Sequence, residues 1–249
     1  MLEYPVSVSF MNNSIGKAIA VLKSGRNIMI RDFASRENET DLVIAAEHVN
    51  PEIVSKFRTD GGGLLCLAVT AEFAAHIGVP YFNDLLKATG KDYPTLKKMS
   101  DFESPYGGRP AFSITINHRD TYTGITDWDR ALTISEFSKF YLEVAAGGLD
   151  PKEEFVSRFR CPGHVHLLIA SAGLLSERPG HTEMSIFLTQ IAGLAPMSTI
   201  CEMLDANTHR ALSIDDSISY AKKHSIPIIM GDQIIEYYNK NRGKQQRKG

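Results

Sequence analysis

The amino-acid sequence predicts an α/β (α+β) fold, a single-domain three-layer α/β/α sandwich with a mixed β-sheet. Short apolar runs typical of strands alternate with segments of helical periodicity along the whole chain. No internal repeat and no change of composition marks a boundary, so we expect residues 1–249 to form one domain. Because strands that alternate with helices build a sheet covered on both faces, the pattern predicts three layers.

The first part of the chain predicts two strands on either side of a charged segment. Residues 14–24 place apolar side chains on one helical face, and Gly25 ends that helix. Apolar runs then predict strands at residues 27–31 and 41–46. Between them lies the acidic segment, residues 36–41, which we therefore expect at a strand edge or in a loop.

Later elements follow from periodicity, capping residues and glycine or proline stops. A continuous apolar run containing Cys66 predicts a strand buried on both faces, with the cysteine in the core. Between residues 83 and 110 the pattern breaks down, which predicts an inserted binding loop, lid or mobile segment. The basic residues 242–249 are expected to form a frayed, flexible tail. The other expected elements are helices beginning at Asn50–Pro51, after Thr70, after Thr133 or Ser135, and at 184–192, 213–223 and 233–241, and strands at 64–69, 111–117, 165–170, 198–204 and 226–230.

Composition and charge argue against several classes of function. The net charge is -2, so no global field attracts the chain to nucleic acid or to a membrane. No apolar run approaches the roughly 20 residues that span a bilayer, and no secretory signal is visible, so we expect a cytoplasmic protein. The 3 cysteines are widely spaced, which argues against a disulfide framework and a structural zinc site.

The acidic segment, Arg-Glu-Asn-Glu-Thr-Asp, concentrates carboxylates beside a guanidinium. Like charges this close repel one another unless a cation, a ligand or the guanidinium lies among them. The oxygens of Glu37, Glu39 and Asp41 are of the kind that Mg²⁺ or Mn²⁺ prefers. A solvated turn and a cation site are the two interpretations of this segment taken alone.

A second polar cluster, the helix-start cluster of residues 178–183, lies where a helix is predicted to begin. Unsatisfied N–H groups and a positive partial charge at a helix N-terminus suit a phosphate. Arg178 adds a bidentate donor, Gly180 permits close approach of the backbone, and Thr182 adds a hydroxyl. His181 could also bind a metal through a ring nitrogen. An ordinary helix cap is the alternative.

Two more polar residues lie at element ends: His164 after a Pro-Gly pair, and Glu202 in an otherwise apolar strand. A turn histidine and a solvent-facing strand end are the alternatives for them. An acidic metal site together with an anion-binding helix start would suit a phosphorylated substrate whose other end chelates a metal.

Four motifs then occur in the order found in one enzyme family. They are Arg-Glu-Asn-Glu-x-Asp after an apolar strand, Pro-Gly-His, Arg-x-Gly-His-Thr-Glu, and Cys-Glu in a strand. From about residue 14 to residue 238, the chain resembles 3,4-dihydroxy-2-butanone 4-phosphate synthase of riboflavin biosynthesis. The resemblance implies a Mg²⁺-dependent lyase that converts D-ribulose 5-phosphate into L-3,4-dihydroxy-2-butanone 4-phosphate and formate. The family's route runs through metal-assisted enediol formation, dehydration, skeletal rearrangement and loss of C4.

The resemblance also implies a role for each site residue. Glu37 and His181 correspond to ligands of a two-ion Mg²⁺ (or Mn²⁺) site. Substrate contacts are implied for Arg36, Glu37, Asp41, Arg178, Pro179, Gly180, His181 and Thr182. Catalytic roles are implied for Glu39, Asp41, His164 and Glu202, and whether Glu39 or Asp41 is the first base stays open.

The chain departs from the family pattern at three places. Thr40 stands where many members have glycine, and Pro179 removes one backbone donor near the expected phosphate. The longer segment 83–110 resembles archaeal members. The family's fused partner, GTP cyclohydrolase II, needs a three-cysteine zinc site that these cysteines do not provide, so a monofunctional protein is expected.

Partners follow from the same resemblance. It implies a homodimer with the active site at the interface, so that His164 could come from the neighbouring chain, and no nucleic-acid or membrane partner. A metal-dependent pentulose-phosphate isomerase or epimerase is a second enzymatic interpretation, which would release no formate. A non-catalytic nucleotide- or RNA-binding domain that uses the basic tail is a third, although the carboxylates of the acidic segment repel a phosphate backbone.

Overall fold

A computed structural model describes residues 8–102 and 104–245, with side chains placed for 14–102 and 104–241. Its helices are α1 Val8–Lys23, α2 Pro51–Lys56, α3 Ala71–His76, α4 Phe82–Ala88, α5 Pro94–Ser100, α6 Asp127–Ala146, α7 Pro151–Arg158, α8 His181–Ala192, α9 Ile214–His224 and α10 Gly231–Gln245. Its strands are β1 Ile28–Arg31, β2 Thr40–Ala45, β3 Cys66–Val69, β4 Phe112–His118, β5 Phe159–Ile169, β6 Ser198–Glu202, β7 Leu204–Asp205, β8 Arg210–Ala211 and β9 Ile228–Met230.

Seven strands form one mixed sheet in the order β4-β5-β3-β6-β2-β1-β9, and β7 pairs with β8 separately. The β1–β9 and β3–β5 pairs are parallel. The β1–β2, β2–β6, β3–β6 and β4–β5 pairs are antiparallel. The expected mixed sheet is therefore confirmed.

Alternating side chains of the central strands divide the core between the two faces of the sheet. On the front face, Ile30 and Val43 belong to a buried cluster with side chains of α1, α8 and α10. On the back face, Met29 and Leu42 belong to a cluster with side chains of α2, α3, α6 and α9. Both faces are covered by helices, which confirms the three layers. Cys66 lies buried in the front-face cluster, as predicted.

Helix α6 begins earlier than the sequence indicated. Its N-cap is Thr126, whose hydroxyl accepts a hydrogen bond from the N–H of Asp129. Thr133 and Ser135, the two predicted N-caps, both lie inside the helix. Their hydroxyls donate to carbonyls one turn earlier, which lets these residues sit inside a helix.

Two other segments also differ from prediction. Strand β5 begins at Phe159, so Pro162, Gly163 and His164 lie within a strand rather than before one. The segment 83–110, expected to be irregular, contains most of α4 and all of α5. Both helices leave most side chains partly exposed, so they carry little of the apolar periodicity that identifies a helix in a sequence.

The C-terminal helix continues further than predicted. Helix α10 extends to Gln245, so the first residues of the basic tail are helical, while residues 246–249 lie outside the described part of the chain. Within the described ranges, no helix combines the length and the apolarity that crossing a bilayer requires.

Candidate active site

The acidic segment lies in the hairpin loop between β1 and β2, shaped by a residue that the sequence analysis did not identify. Asp32 is fully buried and accepts hydrogen bonds from the N–H groups of Glu37 (3.1 Å) and Glu39 (2.9 Å). It also accepts one from Arg36 Nη1 at 3.2 Å. Three donors on one carboxylate fold the loop around Asp32. The sequence signal was an aspartate directly after an apolar strand.

Helix α8 brings its first residue against this loop from the front face. His181 Nδ1 lies 3.0 Å from Glu37 Oε2, and His181 Nε2 lies 3.7 Å from Asp41 Oδ1. His181 and Asp41 are 4% and 2% exposed, respectively. Residues 144 positions apart thus form one buried cluster.

The electrostatics of this cluster are strongly perturbed. Burial alone would raise the pKa of Glu37, but the hydrogen bond and charge of His181 and the charge of Arg36 lower it to about 2. Burial raises the pKa of Asp41, and the charges of Glu202 and Glu37 add to that effect. Burial opposes protonation of His181, but Asp41 and Glu37 raise its pKa above the ordinary value. Such perturbation in a buried pair is typical of functional sites.

Glu39 and Glu202 complete the acidic side of the site. Asp41 of β2 pairs with Glu202 of β6, and the Glu202 carboxylate accepts a hydrogen bond from Leu64 N at 2.8 Å. Burial raises the pKa of Glu39, with smaller contributions from neighbouring carboxylates. A Cβ atom at Gly63 would lie 2.7 Å from Glu202 Cβ and 2.8 Å from its carbonyl oxygen, so Glu202 needs a glycine there.

The helix-start cluster is organised by a second buried carboxylate, its own Glu183, for which no substrate, metal or catalytic role was predicted. Glu183 accepts hydrogen bonds from the N–H of Ser171 (2.9 Å) and from Arg178 Nη1 (3.1 and 3.2 Å). Gly180 is the N-cap of α8 and supplies no side-chain cap. A Cβ atom there would lie 2.9 Å from Arg36 Nη2 and from Glu183 Oε2, so a larger residue would displace the ends of these two side chains.

A cavity of about 110 Å³ joins the two halves. It opens beside a larger cavity of about 740 Å³, which Pro179 helps to line. The residues that line the smaller cavity are Arg36, Glu37, Glu39, Asp41, Tyr106, Pro110, Ala111, Phe112, Leu168, Arg178, His181, Thr182, Ile200 and Glu202. Tyr106 was not predicted; it helps to lower the pKa of Glu37, and its ring lies 4.7 Å from Arg36 Cζ.

Among the described residues, the cavity lining does not include His164. The backbone N–H of His164 donates to Asn117 Oδ1 at 2.8 Å, and its Nδ1 lies 3.2 Å from Asn117 Nδ2. Asn117 Nδ2 also reaches the carbonyl of Thr123 at 3.4 Å. This histidine thus belongs to the β4–β5 side of the sheet and the neighbouring loop.

The donor set fits a divalent cation. Asp32, Glu37 and His181 each offer one ligand atom, and these atoms lie within 4.8 Å of one another. Since Asp32 already accepts three hydrogen bonds, Glu37 and His181 are the better ligand candidates. Asp41 Oδ1 and His181 Nε2 are buried without a hydrogen-bond partner in the described structure. Buried polar atoms of this kind usually have a partner, and a bound ion would supply one.

The sequence profile of the 3,4-dihydroxy-2-butanone 4-phosphate synthase family matches residues 16–237, which is most of the chain. The chain belongs to this family. The resemblance predicted from four motifs is thereby confirmed.

Similar proteins support the same conclusion. The 3,4-dihydroxy-2-butanone 4-phosphate synthases of Methanothermobacter thermautotrophicus and Archaeoglobus fulgidus are 42% and 43% identical to this chain. The alignments cover 90% and 91% of this chain and 95% and 94% of those proteins. A solved synthase in complex with two magnesium ions aligns with a TM-score of 0.73 at 28% identity, over 92% of this chain and 98% of that one.

Proposed function

We propose that this chain converts D-ribulose 5-phosphate into L-3,4-dihydroxy-2-butanone 4-phosphate and formate, the synthase reaction of riboflavin biosynthesis. The observation that carries the proposal is the buried cluster of Glu37, His181 and Asp41 in one cavity with Arg178. Carboxylates and a histidine at one end and an arginine at the other match a substrate with vicinal oxygens and a phosphate.

Glu37 and His181 are the proposed ligands of Mg²⁺, and two ions per site are proposed by analogy with the magnesium-bound relative. Mn²⁺ would suit the same donors. When bound, the metal polarises the substrate carbonyl and neutralises developing negative charge. The hydrogen bonds from the Glu37 and Glu39 N–H groups to Asp32 hold Glu37 toward His181. The ligand pair is therefore preorganised by its loop.

Proton transfer is assigned to the acidic side of the cavity. Abstraction of the C1 proton of a ketose needs a base close to that carbon. Asp41 and Glu39 are both candidates, because each lines the cavity and each has a raised pKa. Glu202, held by Leu64 N, is proposed to serve the later proton transfers together with His164.

The helix-start cluster is proposed to hold the phosphate. Arg178 uses Nη1 for Glu183, and a guanidinium has five N–H donors, so donors remain for a ligand. Thr182 and Gly180 lie at the N-terminus of α8, where N–H groups favour an anion. Because the phosphate does not react, its binding energy can position the reacting carbons.

A homodimer is proposed to complete the site. Tyr122, Ile125 and Trp128 are 92%, 52% and 74% exposed, on and beside the loop that contacts Asn117 and hence His164. Apolar residues exposed this close together are typical of an interaction surface. A second copy covering this surface would bring His164 next to another chain. Light scattering on Trp128→Asp should report a smaller particle than wild type.

Formate production tests the proposed function. Purified protein incubated with ribulose 5-phosphate and Mg²⁺ should release formate, and EDTA should stop the release. Conversion of the substrate to another pentulose phosphate without formate would instead identify an isomerase or epimerase. Absence of formate above the blank in both arms would refute the lyase.

A further inference from the structure

Behind the acidic segment, on the opposite face of the sheet, lies a buried arginine. Arg31 is the last residue of β1 and is 7% exposed. It pairs with Thr40, whereas the preceding residue Ile30 pairs with Asp41. Since alternate residues of a strand point to opposite faces, Arg31 and Thr40 share the back face while Asp41 faces the cavity. The side chain of Arg31 therefore lies on the opposite face of the sheet from the cavity, whose lining does not include it.

The guanidinium of Arg31 joins strand β1 to the side chains of residues 38 and 40 and to the backbone of Leu212, just before α9. Nη2 donates to Asn38 Oδ1 at 2.5 Å, and Nη1 donates to Thr40 Oγ1 at 3.3 Å and to the carbonyl of Leu212 at 3.2 Å. Ser217 of α9 adds a hydrogen bond from its hydroxyl to Thr40 Oγ1 at 3.0 Å. The back of the acidic loop is thus fastened to the region before α9 and to α9 itself.

Asn38 is the critical partner because of its position and conformation. It lies between Glu37 and Glu39, and its φ of 55° places it in the left-handed region. Asparagine tolerates this conformation better than most residues, and a side-chain hydrogen bond helps to stabilise it. The hydrogen bond from Arg31 therefore stabilises the backbone conformation of Asn38, which sets the directions of the two neighbouring carboxylates.

The chemistry of Arg31 argues for a positioning role. In the described part of the chain, its hydrogen-bond partners are neutral oxygens, not carboxylates. Burying a guanidinium with neutral partners costs more than burying an apolar side chain. A planar fork with five donors can hold several acceptors in one fixed geometry, which an apolar residue cannot do.

We propose that Arg31 is a positioning residue that sets the conformation of the acidic loop from the back face, through Asn38 and Thr40, so that Glu37 meets His181. The inference rests on the proposed function only in assigning a divalent cation to Glu37 and His181. Position 40 takes part because its hydroxyl links Arg31 to α9, which a glycine at this position could not do.

Two variants and a direct binding measurement test this role. Arg31→Met removes the fork, and Asn38→Gly removes the amide while keeping a residue that tolerates positive φ. Mg²⁺ affinity is measured by isothermal titration calorimetry, without substrate. Each variant should bind Mg²⁺ about 10- to 100-fold more weakly, the usual cost of losing a group that orients a ligand. The double variant should bind about as weakly as the weaker single variant, because both changes break one contact.

Controls separate this role from a general loss of stability. Lys56→Met removes a part-buried cation that bonds to Asp60 and Tyr220 and does not contact the acidic loop, and its Mg²⁺ affinity should equal that of wild type. Arg31→Lys keeps the charge but not the fork and should behave like Arg31→Met. If Arg31→Met does not fold, Arg31→Lys and Asn38→Gly carry the test.

Hydrogen exchange gives a readout that needs neither cation nor substrate. Amides of residues 36–40 should exchange faster in Arg31→Met and Asn38→Gly, while those of the β3 strand keep wild-type rates. Unchanged Mg²⁺ affinity, additive effects in the double variant, or unchanged exchange in the loop would each overturn the inference. A wild-type protein that binds Mg²⁺ but releases no formate would refute the proposed function and leave the role of Arg31 standing.

Discussion

The acidic segment and the helix-start cluster face the same cavity but differ in how their charges are satisfied. In the helix-start cluster, Arg178 and the fully buried Glu183 form an ion pair at 3.1 Å, and Ser171 completes the carboxylate's hydrogen bonding. The side chain of His181, although it belongs to the helix-start cluster, lies against the acidic segment, and there Asp41 Oδ1 and His181 Nε2 are buried and lack hydrogen-bond partners in the described structure.

This difference divides the site into one half whose charges are already paired and one half whose protonation changes when a cation binds. The Arg178–Glu183 pair of the helix-start cluster satisfies its own charges, so this half of the site is preorganised to bind an anion. On the acidic side, the neighbouring carboxylates raise the pKa of His181, and its imidazole must lose a proton to bind a cation. Binding specificity should therefore depend on the first half, and chemistry and pH dependence on the second.

The largest effect is expected from Glu37→Gln. An amide cannot replace a carboxylate ligand, so turnover should fall by more than the 10- to 100-fold that loss of a residue supporting a ligand typically costs. Formate release and circular dichroism are the measurements, since the fold should stay intact. The exposed Glu52→Gln serves as the matched control and should keep wild-type activity. Wild-type turnover in Glu37→Gln would remove the ligand assignment.

A smaller loss should follow from Gly63→Ala. The added Cβ would lie 2.7 Å from Glu202 Cβ, so the glutamate must move away from Leu64 N. Displacement of a catalytic group by about 1 Å can cost roughly 10²-fold in rate. The loss is measured as the fall in kcat for formate release.

Gly16→Ala is the control for this substitution, because no atom lies within 4 Å of the added Cβ. In a helix it should raise the free energy of unfolding by about 0.5–1 kcal/mol and leave kcat unchanged. Equal kcat in both alanine variants would show that Glu202 does not depend on Gly63.

Arg178→Lys should affect binding more than turnover. Lysine keeps the charge but loses the planar fork that serves Glu183 and an anion together. Loss of one charge-assisted hydrogen bond is worth about 1.5–3 kcal/mol, so KM should rise by about one to two orders of magnitude. Steady-state kinetics separate KM from kcat. A large fall in kcat at unchanged KM would instead place Arg178 in the chemical step.

The smallest expected effect is a pH dependence of cation affinity. The buried carboxylates Asp41 and Glu37 raise the pKa of His181 above its ordinary value, which favours the protonated imidazole near neutral pH in the absence of a cation. Mg²⁺ needs the unprotonated imidazole, so affinity should increase from about pH 6 to about pH 8, by up to tenfold per pH unit. Calorimetry in two buffers of different ionisation enthalpy measures the proton released on binding. Affinity independent of pH would contradict the acidic cluster as described.

The sequence predicted those parts of the site whose residues are neighbours in the chain better than the parts that tertiary packing brings together. The residues Glu37, Glu39 and Asp41 are neighbours in the chain, and their metal-binding chemistry is visible from residue type and spacing alone. From residue type alone, His181 was a separate helix-start residue, and the family resemblance implied that it shares a metal site with Glu37. Only the β1–β2 hairpin and the packing of α8 on the sheet show that it lies 3.0 Å from Glu37.

The supporting residues could not be recognised in the same way. Asp32 and Arg31 are charged residues at the end of an apolar run, a pattern shared with solvent-exposed strand ends. Their burial depends on tertiary packing, which has no local signal. For the same reason the α6 cap was misplaced, since Thr126, Thr133 and Ser135 are equally good caps by residue type.

Conversion of ribulose 5-phosphate labelled with ¹³C at C4 tests the central claim most directly. If the two halves form a synthase site, the label should appear in formate in the ¹³C NMR spectrum, and the four-carbon phosphate should be unlabelled. The label should stay in a five-carbon product if the site only isomerises or epimerises the substrate. That outcome, or formate that carries no label, would contradict the account.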